Sequence, residues 1–232
     1  MPVLYLVPTP IFENTIEMVL PVHVVSIIHT LRQFIVEDLS TARRFISKIN
    51  HPVPINQLLF KVLNEHSTKA ELYSLLPYLL KENTGIMSEA GLPCLADPGA
   101  EIVRLAHANK ITVVPMTGPS SIFMALIASG LNGQSFSFNG YLPIKRNERL
   151  TYLRELEKRS AMNQQTQIFI ETPYRNMSLL EDIVNCCRAE TMLTIAAGIT
   201  GSNEFILTKT IKQWKGELPN LKKIPSVFLL QA

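Results

Sequence analysis

The feature that most constrains the fold of this chain is an alternation of short β-type runs with stretches of helical spacing. Val3–Val7 and Gln33–Val36 are apolar runs of strand length, whereas leucines recur at helical spacing through Thr68–Lys81. Pro77 lies inside that stretch and predicts a kink. Strands that alternate with helices require crossover connections, so the pattern predicts an α/β fold with a mostly parallel sheet.

The same criteria predict the remaining elements and a division into two domains. Helices are predicted over Ser40–Lys48 (with Ser40 as N-cap), Gly99–Asn109, Ser120–Ser129, Arg146–Arg159 and Asn176–Cys187. Strands are predicted near Gln57–Leu63, Gly85–Met87, Ile111–Val114, Phe136–Phe138, Ile168–Ile170, Leu193–Ala197, Glu204–Thr208 and Val227–Leu230, the last of them hairpin-like. The segment PMTGPS interrupts the pattern, which predicts domains at 1–116 and 117–232.

The composition excludes several classes of protein. The chain has 232 residues, of which 47% are hydrophobic, enough for packed cores. A net charge of +3 is too small to establish a nucleic-acid partner. Three cysteines, two of them adjacent, fit neither a disulfide scaffold nor zinc-ligand spacing. No signal peptide is recognisable and no apolar run reaches the ~20 residues of a membrane span, so we expect a soluble cytoplasmic protein.

The loop SEAGLPCLADPG at Ser88–Gly99 has the densest set of turn residues and stands between a predicted strand and a predicted helix. In open α/β sheets, ligands bind on loops outside the carboxyl ends of the strands. Small residues such as Gly91 let backbone groups approach a ligand closely. The alternative is an ordinary loop in which Asp97 caps the helix and Pro98 takes its first position.

Three other segments after predicted strands carry polar candidates. Thr117–Ser121 offers hydroxyls and backbone N–H groups to an anion, or a plain N-cap. Glu171–Asn176 contains a tyrosine and an arginine, for which there are two interpretations: they contact a substrate, or they cover the end of a helix. Glu37–Asp38 and Asn64–His66 stand at two strand ends and are placed to face one cleft, although surface carboxylates are more often solvated caps. None of these segments has the pattern of a Walker loop or GxGxxG.

Taken in order, these segments resemble the tetrapyrrole (corrin/porphyrin) methylase superfamily, and within it the ribosomal RNA small-subunit methyltransferase I family. LYLVPTPI at Leu4–Ile11 resembles that family's LYLVATPIGN, and VEDLSTARRFI at Val36–Ile46 resembles its CEDTRHTRKLL. SEAGLPCLADPG resembles SDAGTPxISDPG, the most specific segment. NEHS, VVPMTGPSS, FNGYLPIKRNER and ETPYRNMSLLEDI resemble HEHN, VVPLPGPSA, FxGFLPRKxGER and ESPHRLxxTLxDL. The resemblance covers most of the chain.

The resemblance implies a two-domain tetrapyrrole-methylase-like α/β fold with a mostly parallel N-terminal sheet, a mixed C-terminal sheet and a cofactor cleft between them. It implies a homodimeric methyltransferase that uses S-adenosylmethionine and acts on a ribose 2′-hydroxyl of small-subunit ribosomal RNA. The residues expected to contact the donor are Ser88, Glu89, Ala90, Gly91, Pro93, Leu95, Ala96, Asp97, Ser120, Ser121, Glu171, Thr172, Ala196, Ala197 and Pro225. Asp38, Glu65 and His66 are candidates for a catalytic base, and no metal is expected.

The chain departs from the family pattern mostly on the acceptor side. Phe12 stands where the family has glycine, and its bulk would crowd a backbone-lined site. Leu39–Ser40 replaces a Thr-Arg pair, Asn64 replaces a histidine and Gly198 replaces an arginine. Glu89 replaces an aspartate on the donor side.

These departures leave three hypotheses open. The chain is a ribosomal RNA ribose methyltransferase with a drifted acceptor site, a methylase of the same fold acting on a tetrapyrrole or another acceptor, or a degenerate member that binds donor or RNA without turnover. A basic run is expected either to hold phosphates or to form a solvated helix face; its members are Lys145, Arg146, Arg149, Arg154, Lys158 and Arg159.

Overall fold

Short, buried strands form the centre of the N-terminal part of the computed structural model, which describes residues 2–12, 15–97 and 99–232. The strands are β1 (Val3–Leu6), β2 (Gln33–Val36), β3 (Leu59–Val62), β4 (Thr84–Met87) and β5 (Thr112–Pro115), in the order β3-β2-β4-β1-β5. All four pairings are parallel. Every residue of β2 and β4 is buried, as is usual for parallel strands covered on both faces. The predicted parallel sheet is confirmed.

Helices cover both faces of this sheet. Because successive side chains of a strand point to opposite sides, each strand packs against helices on both faces. The helices are α1 (Ile16–Val19), α2 (Val22–Ile28), α3 (Leu39–Lys48), α4 (Lys69–Ser74), α5 (Leu76–Lys81) and α6 (Gly99–Ala108). On one face, Phe34 packs in a core with residues of α2 and α3. On the other, Ile35 packs with residues of α4, α5 and α6. Alternate residues of β2 therefore anchor two separate cores.

Two details of these helices bear on the predictions. The prediction that Ser40 caps α3 is wrong: the helix begins at Leu39, and the Oδ1 atom of Asp38 accepts a hydrogen bond from the Thr41 amide at 2.7 Å. An aspartate there satisfies an amide that has no partner within the helix. The predicted kink at Pro77 is confirmed as a break between α4 and α5, with the proline in the first turn of α5.

The C-terminal part contains a second sheet of different character. Its strands are β6 (Phe136–Tyr141), β7 (Thr166–Glu171), β8 (Met192–Ala197), β9 (Phe205–Thr210) and β10 (Ser226–Gln231), in the order β6-β7-β10-β8-β9. The β6–β7 pair is parallel, and the other pairs are antiparallel. The helices are α7 (Ser121–Ser129), α8 (Arg146–Asn163), α9 (Asn176–Cys186) and α10 (Ile211–Trp214). The predicted mixed sheet is confirmed.

The chain separates into two compact units, Met1–Ser120 and Ser121–Ala232. The division falls immediately before α7, and the predicted boundary after residue 116 lies a few residues earlier, in the loop that follows β5. Within the described ranges, no helix combines the length and the apolar character that crossing a bilayer requires.

Neither a phosphate-binding surface nor a solvated face, the two alternatives for the basic run, describes all of helix α8, because two of its charged side chains are buried. Arg149 donates to Oδ2 of Asp182 through Nε at 2.8 Å and Nη2 at 2.5 Å. Oε1 of Glu157 accepts from the hydroxyl of Thr191 at 2.6 Å and from the Arg188 amide at 2.8 Å. Buried charges persist only where such partners compensate them. Arg149 is thus a structural residue and not part of a phosphate-binding surface.

Replacing Asp182 with asparagine is expected to lower the free energy of unfolding by about 3–5 kcal/mol, because the guanidinium of Arg149 stays buried without its counter-charge. Urea denaturation of the variant and the original chain measures the difference. Arg159→Ala is the matched control, since it breaks an exposed ion pair with Glu155 on the same helix and should change stability far less. Equal decreases in the two variants would contradict a structural role for the buried pair.

Candidate functional site

All the candidate residues of the N-terminal unit follow the carboxyl ends of its strands. Asp38 follows β2, Glu65 and His66 follow β3, and the loop Ser88–Asp97 follows β4. Because β3, β2 and β4 are parallel neighbours, their carboxyl ends share one edge of the sheet. This is the edge at which open α/β sheets bind ligands.

The loop Ser88–Asp97 is held in a specific backbone conformation by the opening segment of the chain. The amide of Thr9 donates to the carbonyl of Gly91 at 2.9 Å, and the amide of Gly91 donates back at 3.1 Å. Gly91 has a φ of +78°, and Cys94 and Ala96 also lie in the left-handed region at +68° and +65°. Glycine adopts this conformation freely, whereas for Cys94 and Ala96 it is strained. Such strain persists only where the surrounding structure fixes it, and it clusters at binding sites.

Asp97 fixes the second half of the same loop. Its carboxylate accepts hydrogen bonds from the Cys94 amide at 2.8 and 2.9 Å and from the Gly99 amide at 2.7 Å. Burial raises the pKa of Asp97 above its ordinary value, while these amides act in the opposite direction. The prediction that Asp97 caps the following helix is confirmed by its bond to Gly99 at the start of α6. Pro98, the predicted first helical residue, lies outside the described residues.

The three predicted catalytic residues differ in environment. One carboxylate oxygen of Asp38 accepts the hydrogen bond that caps α3. Hydrogen bonds from the backbone and side chain of Thr41 hold the pKa of Asp38 below its ordinary value. Glu65 and His66 are highly exposed, each with a side chain 84% accessible, and their Oε1 and Nε2 atoms lie 3.6 Å apart. None of the three is therefore a buried group poised to accept a proton.

Glu37 is a further carboxylate at the same edge of the sheet, directly after β2, and it is not among the three predicted catalytic residues. Its Oε2 atom accepts a hydrogen bond from the Glu89 amide at 3.2 Å, which ties the end of β2 to the loop after β4. Burial raises the pKa of Glu37, and the nearby carboxylates of Asp97, Glu89 and Glu65 raise it further. A small cavity of about 10 Å³ adjoins it, and the residues that line it include Ser88, Pro93 and Asp97.

In the C-terminal unit, the remaining candidates converge where β7, β8 and β10 meet. Ser226 pairs with Glu171 on one side and with Ala197 on the other. The carbonyl of Pro225 accepts from the Gly198 amide at 2.9 Å. The register thus brings together Glu171, Thr172, Ala196, Ala197 and Pro225, which are separated by up to half of the unit in sequence. Ser121 is the first residue of α7, and Ser120 before it is buried.

Glu171 is the most unusual group in this cluster because its side chain is completely buried. Its Oε1 atom accepts from the Thr172 amide at 2.6 Å and from Nη2 of Arg175 at 2.6 Å. Its Oε2 atom is also buried and has no hydrogen-bond partner within the part of the chain that the structure describes. A buried acceptor of this kind requires a hydrogen-bond donor from outside the chain, which an ordered water or a bound ligand would supply.

Three departures from the family pattern have local structural roles. Asn64 closes the turn after β3, since its Oδ1 atom accepts from the His66 amide at 3.0 Å. Leu39 packs against the core between the sheet, α2 and α3. Gly198 has a φ of +62°, and an added Cβ would lie 3.1 Å from the carbonyl oxygen of Asn203, so a side chain there is disfavoured.

Comparison with known proteins identifies the family, although no family model matches the chain. The chain is 31% identical over 233 residues to the ribosomal RNA small subunit methyltransferase I of Vibrio cholerae, in an alignment that covers 99% of this chain and 77% of that relative. It is 32% identical over 176 residues to the protein of the same name from Pasteurella multocida, covering 74% of this chain and 61% of that relative.

The chain belongs to the ribosomal RNA small subunit methyltransferase I family. It is therefore an enzyme of the methyltransferase class, as the sequence predicts. The crystal structure of the methyltransferase CobJ aligns with all of this chain and 94% of its own, with a TM-score of 0.65 and 12% identity. At that identity the likeness concerns the fold alone, and it confirms the predicted α/β methylase fold.

Replacing Asp97 with asparagine is expected to loosen the loop after β4, since an amide oxygen and an NH₂ group replace two acceptor oxygens. Hydrogen exchange at Cys94 and Gly99 should accelerate about ten-fold or more, because a hydrogen bond to a charged group contributes roughly 1.5–3 kcal/mol. Glu101→Gln, an equivalent change on the exposed face of α6, is the control. Unchanged exchange in Asp97→Asn would show that the carboxylate does not order the loop.

Proposed function

We propose that this chain is an S-adenosylmethionine-dependent methyltransferase that modifies a ribose 2′-hydroxyl of small-subunit ribosomal RNA. The observation that carries the proposal is its similarity, over nearly its whole length, to relatives named for that RNA. The chain spans 77% of the Vibrio cholerae relative and 61% of the Pasteurella multocida relative, so their full activity is proposed here by analogy. The ordered loops at the strand ends of both units support it.

The residues at these strand ends fit the methyl donor. The partnerless Oε2 atom of Glu171 offers a buried acceptor for a hydroxyl or amino group of the donor. Ala90 is exposed in the loop after β4, and its small side chain leaves room for a ligand beside the backbone. S-adenosylmethionine, when bound, supplies a methyl group already activated on a sulfonium. The proposed donor contacts are Ser88, Glu89, Ala90, Gly91, Pro93, Leu95, Ala96, Asp97, Ser120, Ser121, Glu171, Thr172, Ala196, Ala197 and Pro225.

The work of the protein is then mainly to orient the acceptor and to remove its proton. Glu37 is the base that the geometry favours, because it is half-buried, hydrogen-bonded to the donor loop and shifted toward a higher proton affinity. Asp38 is committed to the cap of α3, whereas Glu65 and His66 stand exposed at the same edge and are the competing candidates. We also propose a homodimer acting in the cytoplasm, where ribosomal RNA is modified.

Calorimetric titration with S-adenosylmethionine, followed by transfer from labelled donor to undermethylated small ribosomal subunits, tests the proposed function. Donor binding with label in the RNA, resistant to alkaline cleavage at one ribose, is the expected result. Binding without transfer to RNA would redirect the search to a tetrapyrrole or another acceptor, or to a protein without turnover. The absence of donor binding would contradict the proposal outright.

Replacing Glu37 with glutamine is expected to lower kcat about 100-fold with little change in donor affinity, the lower end of the range for removal of a general base. In the original chain, activity should fall as the pH drops through the raised pKa of Glu37, because only the deprotonated carboxylate accepts the proton. That acidic limb should disappear in the variant.

Asp38→Asn, Glu65→Gln and His66→Asn are measured in parallel with Glu37→Gln. An acidic limb that survives in Glu37→Gln but disappears in one of the other variants would transfer the role of base to that residue. The glutamine retains a side-chain oxygen for the Glu89 amide, so a broken hydrogen bond to the loop does not explain the expected change.

A further inference from the structure

Two adjacent cysteines lie at the C-terminal end of α9, whereas Glu171 precedes the other end of that helix. Cys186 is the last residue of α9, and Cys187 follows it. Their Sγ atoms are 3.8 Å apart, a distance at which one thiol donates a hydrogen bond to the other sulfur. None of the proposed donor contacts belongs to α9, so the methyl donor gives this pair of thiols no role.

The two thiols differ in environment. Cys187 is buried and packs in the hydrophobic core of the C-terminal unit, whereas Cys186 is half-buried and keeps contact with solvent. The hydrogen bond from the Cys187 thiol lowers the pKa of Cys186, and the same bond, together with burial, raises the pKa of Cys187. Cys186 therefore loses its proton first, and a thiolate is the nucleophilic form of cysteine.

The charges around Cys186 favour the thiolate on balance. After the bond from Cys187, the positive charge of Arg154 on α8 also lowers the pKa of Cys186. Burial and the carboxylates of Glu157 and Asp182 act in the opposite direction, as does the C-terminal end of the helix. Both carboxylates are already engaged by the buried hydrogen bonds of α8 described above. Partial exposure beside a cation is typical of reactive cysteines.

We propose that Cys186 and Cys187 form a redox site, at which a hydroperoxide oxidises Cys186 and Cys187 then closes a disulfide with it. A solvent-accessible thiolate next to a second thiol is the arrangement that thiol-based redox sensors use. The proposal is independent of the methyltransferase function, because it uses neither the donor contacts nor the candidates for the catalytic base.

The reaction has two steps. In the first, the Cys186 thiolate attacks an oxygen of the hydroperoxide, so that an S–O bond forms and the O–O bond breaks; the departing oxygen anion takes a proton from water. In the second, the sulfur of Cys187 attacks the resulting sulfenic acid. An S–S bond forms, the S–O bond breaks, and the departing hydroxide leaves as water with the thiol proton of Cys187. The two sulfurs give up two electrons, which the hydroperoxide accepts.

The product is expected to be reversible. The Cα atoms of neighbouring residues are about 3.8 Å apart, which is less than the roughly 4.4 Å at the lower limit for ordinary disulfides. A disulfide between adjacent cysteines is therefore strained, and strained disulfides are readily reduced. This distinguishes the proposed site from a structural disulfide, which would resist the same reductant.

The test begins with the original chain and hydrogen peroxide. After the reaction, the remaining thiols are alkylated in denaturant and mapped by peptide mass spectrometry. Cys186 and Cys187 should disappear together from the alkylated pool, joined in one disulfide, and dithiothreitol should restore both. Cys94 is the control within the chain, since burial raises its pKa to about 12. It should react at least about ten-fold more slowly than Cys186.

Single variants separate the two steps. Cys187→Ser keeps a hydroxyl that donates to the Cys186 sulfur but cannot form a disulfide, so the reaction should stop at a sulfenic acid that dimedone traps. Cys186→Ser should leave Cys187 as a thiol.

Variants of α8 test the electrostatic part without disturbing the core. Arg154→Gln should slow the oxidation of Cys186 about two-fold or more at neutral pH, and the rates should converge at alkaline pH, where the thiol is ionised in both chains. Lys158→Gln removes an exposed cation one turn further along α8 that is not among the groups shifting the pKa of Cys186, so the rate should not change.

Other outcomes overturn the proposal. Oxidation of Cys94 as fast as Cys186 would show that the pair has no special reactivity. Oxidation of Cys186 in the original chain without a disulfide would refute the role of Cys187. Oxidation of Cys187 at the original rate in Cys186→Ser would refute the assignment of the first step. Equal slowing in Arg154→Gln and Lys158→Gln would refute a specific contribution from Arg154.

Discussion

The backbone order of the loop after β4 is the constraint on which the rest of the N-terminal site depends. Parallel pairing brings three loops to one edge, but pairing alone does not fix their conformation. The bridge between Thr9 and Gly91 fixes the first half of this loop, and the carboxylate of Asp97 fixes the second. Burying that carboxylate carries a desolvation cost, which the surrounding amides offset in part. Glu37 then attaches the loop to the neighbouring strand through the Glu89 amide.

The C-terminal unit arranges its candidates by a different device. Antiparallel register, and not a shared parallel edge, brings Ser226 opposite both Glu171 and Ala197. Arg175 and the Thr172 amide hold one oxygen of Glu171 and leave the other without a partner in the described ranges. An acceptor left unsatisfied in this way is costly in an isolated domain, and a bound molecule that donates a hydrogen bond to it would remove that cost. This feature supports the assignment of the cluster to the methyl donor, which itself comes from the family resemblance.

The sequence predicts the elements well where the signal is local. Strand β2 begins and ends at the predicted residues, because a short apolar run between polar segments is typical of a buried strand. The cap of α3 is predicted at the wrong residue because Asp38 and Ser40 are both good N-caps. The burial of Arg149 and the role proposed for Glu37 are not predicted, because both depend on partners 33 and 52 residues away, Asp182 and Glu89. The donor contacts themselves come from family resemblance and remain predictions, since no local pattern specifies a methyl donor.

We propose that the ordered loop after β4 and the buried Glu171 cluster both contact the methyl donor. A crystal structure of the chain with S-adenosylhomocysteine, the product form of the donor, is the sharpest test of these contacts. We expect density for the ligand in contact with the backbone of Ser88–Asp97 and with the Oε2 atom of Glu171. Ligand bound elsewhere, with Glu171 still lacking a partner, would refute the proposed contacts.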